Sequence, residues 1–269
     1  MSINRIDKKF EELKAKGEKA LVGFVTAGDP DRERSLAVIE AMCTAGMDIL
    51  ELGVPFSDPT ADGPVIQQAS ARALAAGMNL AGVMEMTAAV RRFTEIPIIL
   101  FSYYNPIHRM GGENFYARAV EVGADGLLLV DVPPEESGEL TKSWPGSDLA
   151  LIRLLAPTTP DDRMAAIGEG AQGFLYLVSK TGVTGSDGLA LDEVARNVAR
   201  VRKASRVPVC VGFGISTAAD VAAIAAEADG VVIGSAFERQ IEANLDNPDL
   251  AVVLGEQTAS YKAATRVIS

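Results

Sequence analysis

The sequence predicts an α/β protein, a single (β/α)8 TIM barrel with one extra helix at its N-terminus. Three observations carry this expectation. Short apolar, β-branched runs recur eight times along 269 residues, and helix-spaced segments lie between them. Strands that are apolar throughout, alternating with amphipathic helices, form a parallel sheet covered by helices. Eight such units in about 250 residues are the number that closes a barrel. A doubly wound open sheet is the rival, but "VTAGDPDRE" after the first strand has one glycine where a dinucleotide-binding turn needs three.

The strand candidates, in order, are 20–28, 48–54, 96–104, 125–132, 149–156, 173–179, 207–214 and 229–236. Helical patterns with apolar residues three and four apart fill "DRERSLAVIEAMCTAG", "DGPVIQQASARALAAG", "ENFYARAVEVG", "LDEVARNVARVRKAS" and "STAADVAAIAAEA". Several end in glycine, as helices often do. Segment 3–16, with Ile6, Phe10 and Leu13 at helical spacing, reads as the extra helix, capping the lower end of the barrel. The final stretch, 237–267, is too long for one barrel helix and breaks at "DNPD". No low-complexity linker divides the chain, so residues 1–269 read as one domain.

Composition narrows the function. The chain is 48% hydrophobic and 23% charged, with a net charge of −11. Such an excess of carboxylates repels nucleic acid, so any phosphate must be held locally, by backbone donors rather than a basic patch. The N-terminus has no signal-like apolar run and no stretch suits a membrane span, so a cytoplasmic address is expected. The two cysteines, Cys43 in a helical pattern and Cys210 in a strand, form neither a disulfide framework nor a metal motif.

The most informative stretch is "DILELGVPFSDPTADGP", residues 48–64. Side chains alternate along a strand, so Glu51 shares a face with Ile49 and Gly53, while Leu50 and Leu52 share the other. If the leucines pack on helices, Glu51 points into the barrel mouth, at the strand ends where such barrels work. A structural glutamate held by an arginine or by backbone donors stays open as the alternative. Asp62 follows in the loop, and spacing alone reads it as the N-cap of a helix starting near Pro64. Asp58 reads as a turn starter, and Asp48 as structural.

Glycine-bearing loops follow strands six, seven and eight: "SKTGVTGSDG", "GFGIST" and "GSAF". Glycine lets backbone amides converge on an anion, and a helix start adds partial positive charge. The single histidine, His108, reads as a surface or interface residue, which leaves a His-based metal centre or triad without support. Lys180 reads as a solvated lysine rather than a Schiff-base nucleophile.

Taken together, "GFVTAGDP", "LELGVPFSDPTADGP", "YYNPI", "DVPPEES", "SKTGVTG" and "VGFGIS" resemble the α subunit of tryptophan synthase, in order, from about residue 5 to 265. The resemblance implies cleavage of indole-3-glycerol phosphate to indole and glyceraldehyde 3-phosphate. It implies Glu51 as general acid/base, and Asp62 as the group that stabilises and orients the indole ring. Gly185, Gly214, Gly234 and Ser235 would hold the substrate phosphate, Phe24 and Tyr176 would line the pocket, and Thr184 would sit in a closing loop. Asp131 belongs to the strand-four motif. No cofactor is implied in this chain. Pyridoxal phosphate belongs to the implied partner, a β subunit in an α2β2 complex, met through a face including Asp58, Pro59, Asn105 and Pro106. Two departures stand out: Thr60 where an apolar residue is commoner, and Lys180 where arginine is common. The rival functions are a non-catalytic phosphate-binding regulatory subunit and another phosphosugar barrel enzyme.

Overall fold

The computed structural model describes residues 4–142, 144, 146, 148–179, 191–212 and 214–266. Its eight strands are β1 (Ala20–Thr26), β2 (Ile49–Gly53), β3 (Ile98–Ser102), β4 (Gly126–Leu129), β5 (Ala150–Leu155), β6 (Leu175–Val178), β7 (Val209–Gly212) and β8 (Gly230–Ile233). Each pairs in parallel with the next, and β8 returns to β1 through Ala20↔Gly230 to Gly23↔Ile233, closing the barrel. The helices are α1 (Arg5–Lys16), α2 (Arg32–Thr44), α3 (Pro64–Ala75), α4 (Leu80–Arg91), α5 (Tyr104–Met110), α6 (Gly112–Glu121), α7 (Ser137–Thr141), α8 (Asp161–Glu169), α9 (Leu191–Ala204), α10 (Ala218–Glu227), α11 (Ser235–Ala243) and α12 (Leu250–Ala264).

Twelve helices among the described residues exceed the one-per-strand count. The β2–β3 and β3–β4 connections each hold two, and the long final stretch divides into α11 and α12. Strands are shorter than the apolar runs that announced them. In the run 96–104 only Ile98–Ser102 is strand, because Tyr104 already opens α5. An apolar run marks burial, and burial continues past the last ladder hydrogen bond.

The core splits by strand parity. One set, including Val22, Ile49, Ile99, Ile152 and Phe174, fills the barrel; the other, including Leu21, Leu50, Leu52 and Leu100, packs beneath the helices. Helix α1 plugs the lower end as expected. Asn4 caps it by accepting the Ile6 amide, Gly17 ends it in the left-handed region at φ 68°, and Ile6, Phe10 and Leu13 face the barrel interior. Phe10 meets Phe174 with ring centroids 5.9 Å apart.

Three aspartates just ahead of strands stitch this lower rim. Asp48 accepts the Leu21 amide and pairs with Lys262 at 2.8 Å. Asp125 accepts the Ile98 amide and binds Arg91 and Arg5. Asp229 accepts the Val209 amide and pairs with Arg202. Each carboxylate has both an amide and a cation, which satisfies a buried or half-buried charge. The structural reading of Asp48 therefore holds. No single helix among the described residues is long and apolar enough to cross a membrane.

Candidate active site

The upper rim is built differently. Glu51, on the inward parity of β2, lies in register with Phe24 of β1 and Ile99 of β3. It is 1% exposed, and its Oε1 has no hydrogen-bond partner among the described residues. Burial alone pushes its carboxyl up to about 8, as its apolar flanks suggest. The lower-rim aspartates show what a structural carboxylate in this fold looks like, and among the described residues Glu51 has neither their amides nor their cations. The arginine-held alternative does not describe it.

Glycines make room for the aromatic walls. A Cβ on Gly53 would meet the Phe24 ring at 2.7 Å, and one on Gly212 would meet the Tyr176 hydroxyl at 2.1 Å. Phe24 in turn packs edge-on against Phe101, centroids 5.0 Å apart. Gly212→Ala should therefore displace Tyr176, cost roughly 1–3 kcal/mol of stability, and raise KM for the substrate. Thermal unfolding and steady-state kinetics check this; parental values in both would contradict the packing argument.

Asp62 does not cap α3. The cap is Gly63, in extended conformation with no side-chain hydrogen bond, and Pro64 occupies the first turn. The expectation of an aspartate cap fails because Asp62 is drawn away by a residue distant in sequence. Its Oδ2 accepts the Tyr103 hydroxyl at 3.0 Å, and that hydroxyl oxygen accepts the Ala61 amide, also at 3.0 Å. Tyr103 is stacked on Phe56 and so is held in place. Burial raises the Asp62 carboxyl above the usual aspartate value, while the Tyr103 hydroxyl favours the ionised form.

Glu51, Asp62, Phe24, Tyr176, Gly214, Gly234 and Ser235 line one cavity of about 680 Å³. Thr184, Gly185 and Lys180 lie outside the described residues. On the β7–β8 side Gly214 has φ 73°, open to glycine and strained for other residues. Gly234 begins α11 without a side-chain cap; the Phe237 and Glu238 amides donate to the Gly234 carbonyl, and the Ser235 and Ala236 amides ahead of them precede the helix ladder and can meet an anion. Of the cavity residues that sequence reasoning did not single out, two bear most on the chemistry. Phe101 lies within β3, and Arg239 of α11 lines this end one turn beyond Ser235. Arg239 qualifies the backbone-only expectation.

Asp58 and Asn105 are exposed, and Pro59 and Pro106 partly so; they follow the adjacent strands β2 and β3 on this same face. Asp131 accepts the Tyr104 amide at 2.9 Å and thus braces α5. His108 is exposed on α5 beside Tyr104. Among the described residues no three His, Cys, Asp or Glu groups could hold a metal ion.

Fold and cavity define a class: a (β/α)8-barrel protein with a buried carboxyl at the strand ends and a helix start lining the same cavity. The particular family follows from likeness to known proteins. A family model described as tryptophan synthase alpha chain matches residues 10–266. The chain is 64% identical over 265 residues to the tryptophan synthase alpha chain of Desulfosudis oleivorans, covering 98% of this chain and 100% of that one. Against the Desulfatibacillum aliphaticivorans alpha chain it is 61% identical over 261 residues, covering 97% and 98%. A crystal structure of tryptophan synthase subunit alpha from Legionella pneumophila superposes with a TM-score of 0.90 at 41% identity, over 98% of this chain and 99% of that one. The chain belongs to the tryptophan synthase alpha chain family. It is a lyase that cleaves indole-3-glycerol phosphate in tryptophan biosynthesis. It carries no cofactor of its own and works with a β subunit, to which pyridoxal phosphate belongs.

Proposed function

We propose that Glu51 carries the proton of the cleavage and that Asp62 balances charge on the indole ring. The observation that supports this most directly is the buried Glu51 carboxyl with an unpartnered oxygen in the cavity wall. A retro-aldol cleavage needs somewhere to put the electrons of the breaking carbon–carbon bond. Protonating ring carbon 3 of an indole makes an iminium-like tautomer that accepts them. A neutral Glu51 gives that proton. As a carboxylate it then takes the proton of the substrate hydroxyl while the bond breaks, releasing indole and the aldehyde. One proton is given and one taken, so Glu51 ends as it began. Asp62, kept towards its ionised form by Tyr103, faces the ring N–H as positive charge develops there.

The substrate phosphate lies at the other end of the cavity, gripped by amides at Gly214, Gly234 and Ser235 and approached by Arg239. Thr184 and Gly185, which follow β6 in sequence, contribute to substrate binding as the family resemblance implies. Phe24 and Tyr176 sandwich the organic part of the substrate. The β subunit docks over the upper rim, at Asp58 and Pro59 between β2 and α3 and at Asn105 and Pro106 of α5, in an α2β2 complex, and the chain works in the cytoplasm. Asp58→Lys should weaken that assembly by about tenfold or more, since a reversed charge at an interface is costly. Titrating the chain with its β subunit while following indole release checks this, and unchanged affinity would move the docking face elsewhere. Indole release from indole-3-glycerol phosphate, with and without the β subunit, tests the reading as a whole.

A further inference from the structure

A second fully buried carboxyl lies behind the cavity wall, and the chemistry above does not use it. Glu238, in α11, is 0% exposed. Its Oε1 accepts the backbone amide of Thr26 at 2.6 Å. The closure of the barrel explains why that amide needs an acceptor. The Ala20 amide donates to Asp229 ahead of β8, and the Ala27 amide donates to Gly53 of β2, so even-numbered amides of β1 point toward β8. Pairing with β8 ends at Gly23↔Ile233, three residues before β1 itself ends at Thr26. Where β8 turns away into α11, Glu238 supplies the acceptor that the strand no longer offers.

The surroundings are charged on two sides. Asp29, just beyond Thr26, is buried and held by Arg72 of α3 through two contacts of 2.8 Å. Arg72 also reaches Glu242, one turn further along α11, at 3.5 Å. From α12, Tyr261 packs on the neighbouring Phe237 and donates to the Ser216 carbonyl. Two carboxyl groups, Asp29 and Glu242, therefore share one guanidinium, and Glu238 makes no ion pair with it among the described residues.

We propose that Glu238 is a positioning residue that ties the start of α11 to the end of β1, holding the Gly234–Ser235 amides in place against Phe24. The proposal rests on reading that end of the cavity as the phosphate grip. An anion site made of amides works only while those amides stay at hydrogen-bond distance, and Gly234 already lies against Phe24, where an added Cβ would stand 3.5 Å away. Burial first, and then the charge of Asp29, hold Glu238 well above the usual glutamate range, so it is neutral at ordinary pH. In alkaline solution it ionises beside Asp29, and Arg72 cannot neutralise both. The start of α11 is then pushed from β1 and the grip on phosphate weakens.

Glutamine can still accept the Thr26 amide and donate to a facing carboxylate, yet it cannot ionise; leucine can do neither. The test is binding of glycerol 3-phosphate to the purified full-length chain by calorimetry between about pH 7 and 10, in a Glu51→Gln background so that the cavity carboxyl cannot ionise over the same range, with kcat measured alongside in chains that keep Glu51. The parent should weaken about tenfold across that range, and Glu238→Gln should stay flat and within about twofold of the parent at neutral pH. Glu238→Leu should bind about tenfold more weakly throughout, with kcat changed less than about threefold. The same alkaline weakening in Glu238→Gln would overturn the proposal, and that comparison decides even if the leucine variant does not fold. Glycerol 3-phosphate that fails to compete with substrate in the parent would overturn the phosphate-end reading instead, and the proposal with it.

Discussion

Glu51→Gln should bind indole-3-glycerol phosphate normally and lose cleavage by about 10²–10⁴-fold, the usual contribution of a general acid/base. The same variant should be the more stable protein. The folded chain keeps the Glu51 proton up to about 8, whereas the unfolded chain releases it near the ordinary glutamate value of 4.5. Between those values the unfolded state binds fewer protons, so this group's contribution to stability falls as pH rises through the window. Glutamine has no proton to lose. It should stabilise the fold by roughly 2–3 kcal/mol at pH 7 and by almost nothing near pH 4.5, a gain of about 5 °C in Tm at the higher pH. Thermal melts at both pH values read this directly. Parental turnover, or lower stability at pH 7, would contradict the role given to this carboxyl. The parent's kcat/KM should also decline above about pH 8, where the free enzyme loses the proton it must deliver.

Asp62→Asn should lower kcat by about 10²-fold, comparable to removing one preorganised electrostatic contact from a transition state. Asparagine preserves the shape and can still accept the Tyr103 hydroxyl. The melting temperature should therefore stay within about 2 °C of the parent. Loss of folding would point back to a structural role, and intact turnover would remove Asp62 from the reaction. Tyr103→Phe removes the hydroxyl that holds Asp62 and bridges it to the Ala61 amide. Its rate loss should be smaller, about tenfold, because the charge remains and only its placement suffers. Stopped-assay measurement of indole formation by the two variants separates charge from orientation.

Much of the barrel was legible because its signals are local. Continuous apolar runs mark strands covered on both faces, and the alternation around Glu51 depends only on a period of two. Helix α1 and the break at residues 244–249 were readable for the same reason. Helix α4 passed unnoticed because its face toward the barrel is long and weakly polarised, with Leu80, Val83, Met84, Met86, Thr87, Ala89 and Val90 all buried. Asp62 was misread because capping is a local rule. The residue that claims its side chain comes from the end of another strand, 41 positions away.

The amino-acid order by itself determined how many strands there are, which of their side chains face inward, and that a carboxylate stands among apolar neighbours on β2. Only the closed tertiary structure decided which carboxyls are paired. It gave Asp48, Asp125 and Asp229 at least one cation each, left Glu51 without one among the described residues, and set Glu238 beside an amide 212 residues away. Periodicity is written between neighbours along the chain. The partner of a buried charge is set by barrel closure, which brings together residues that no local rule relates.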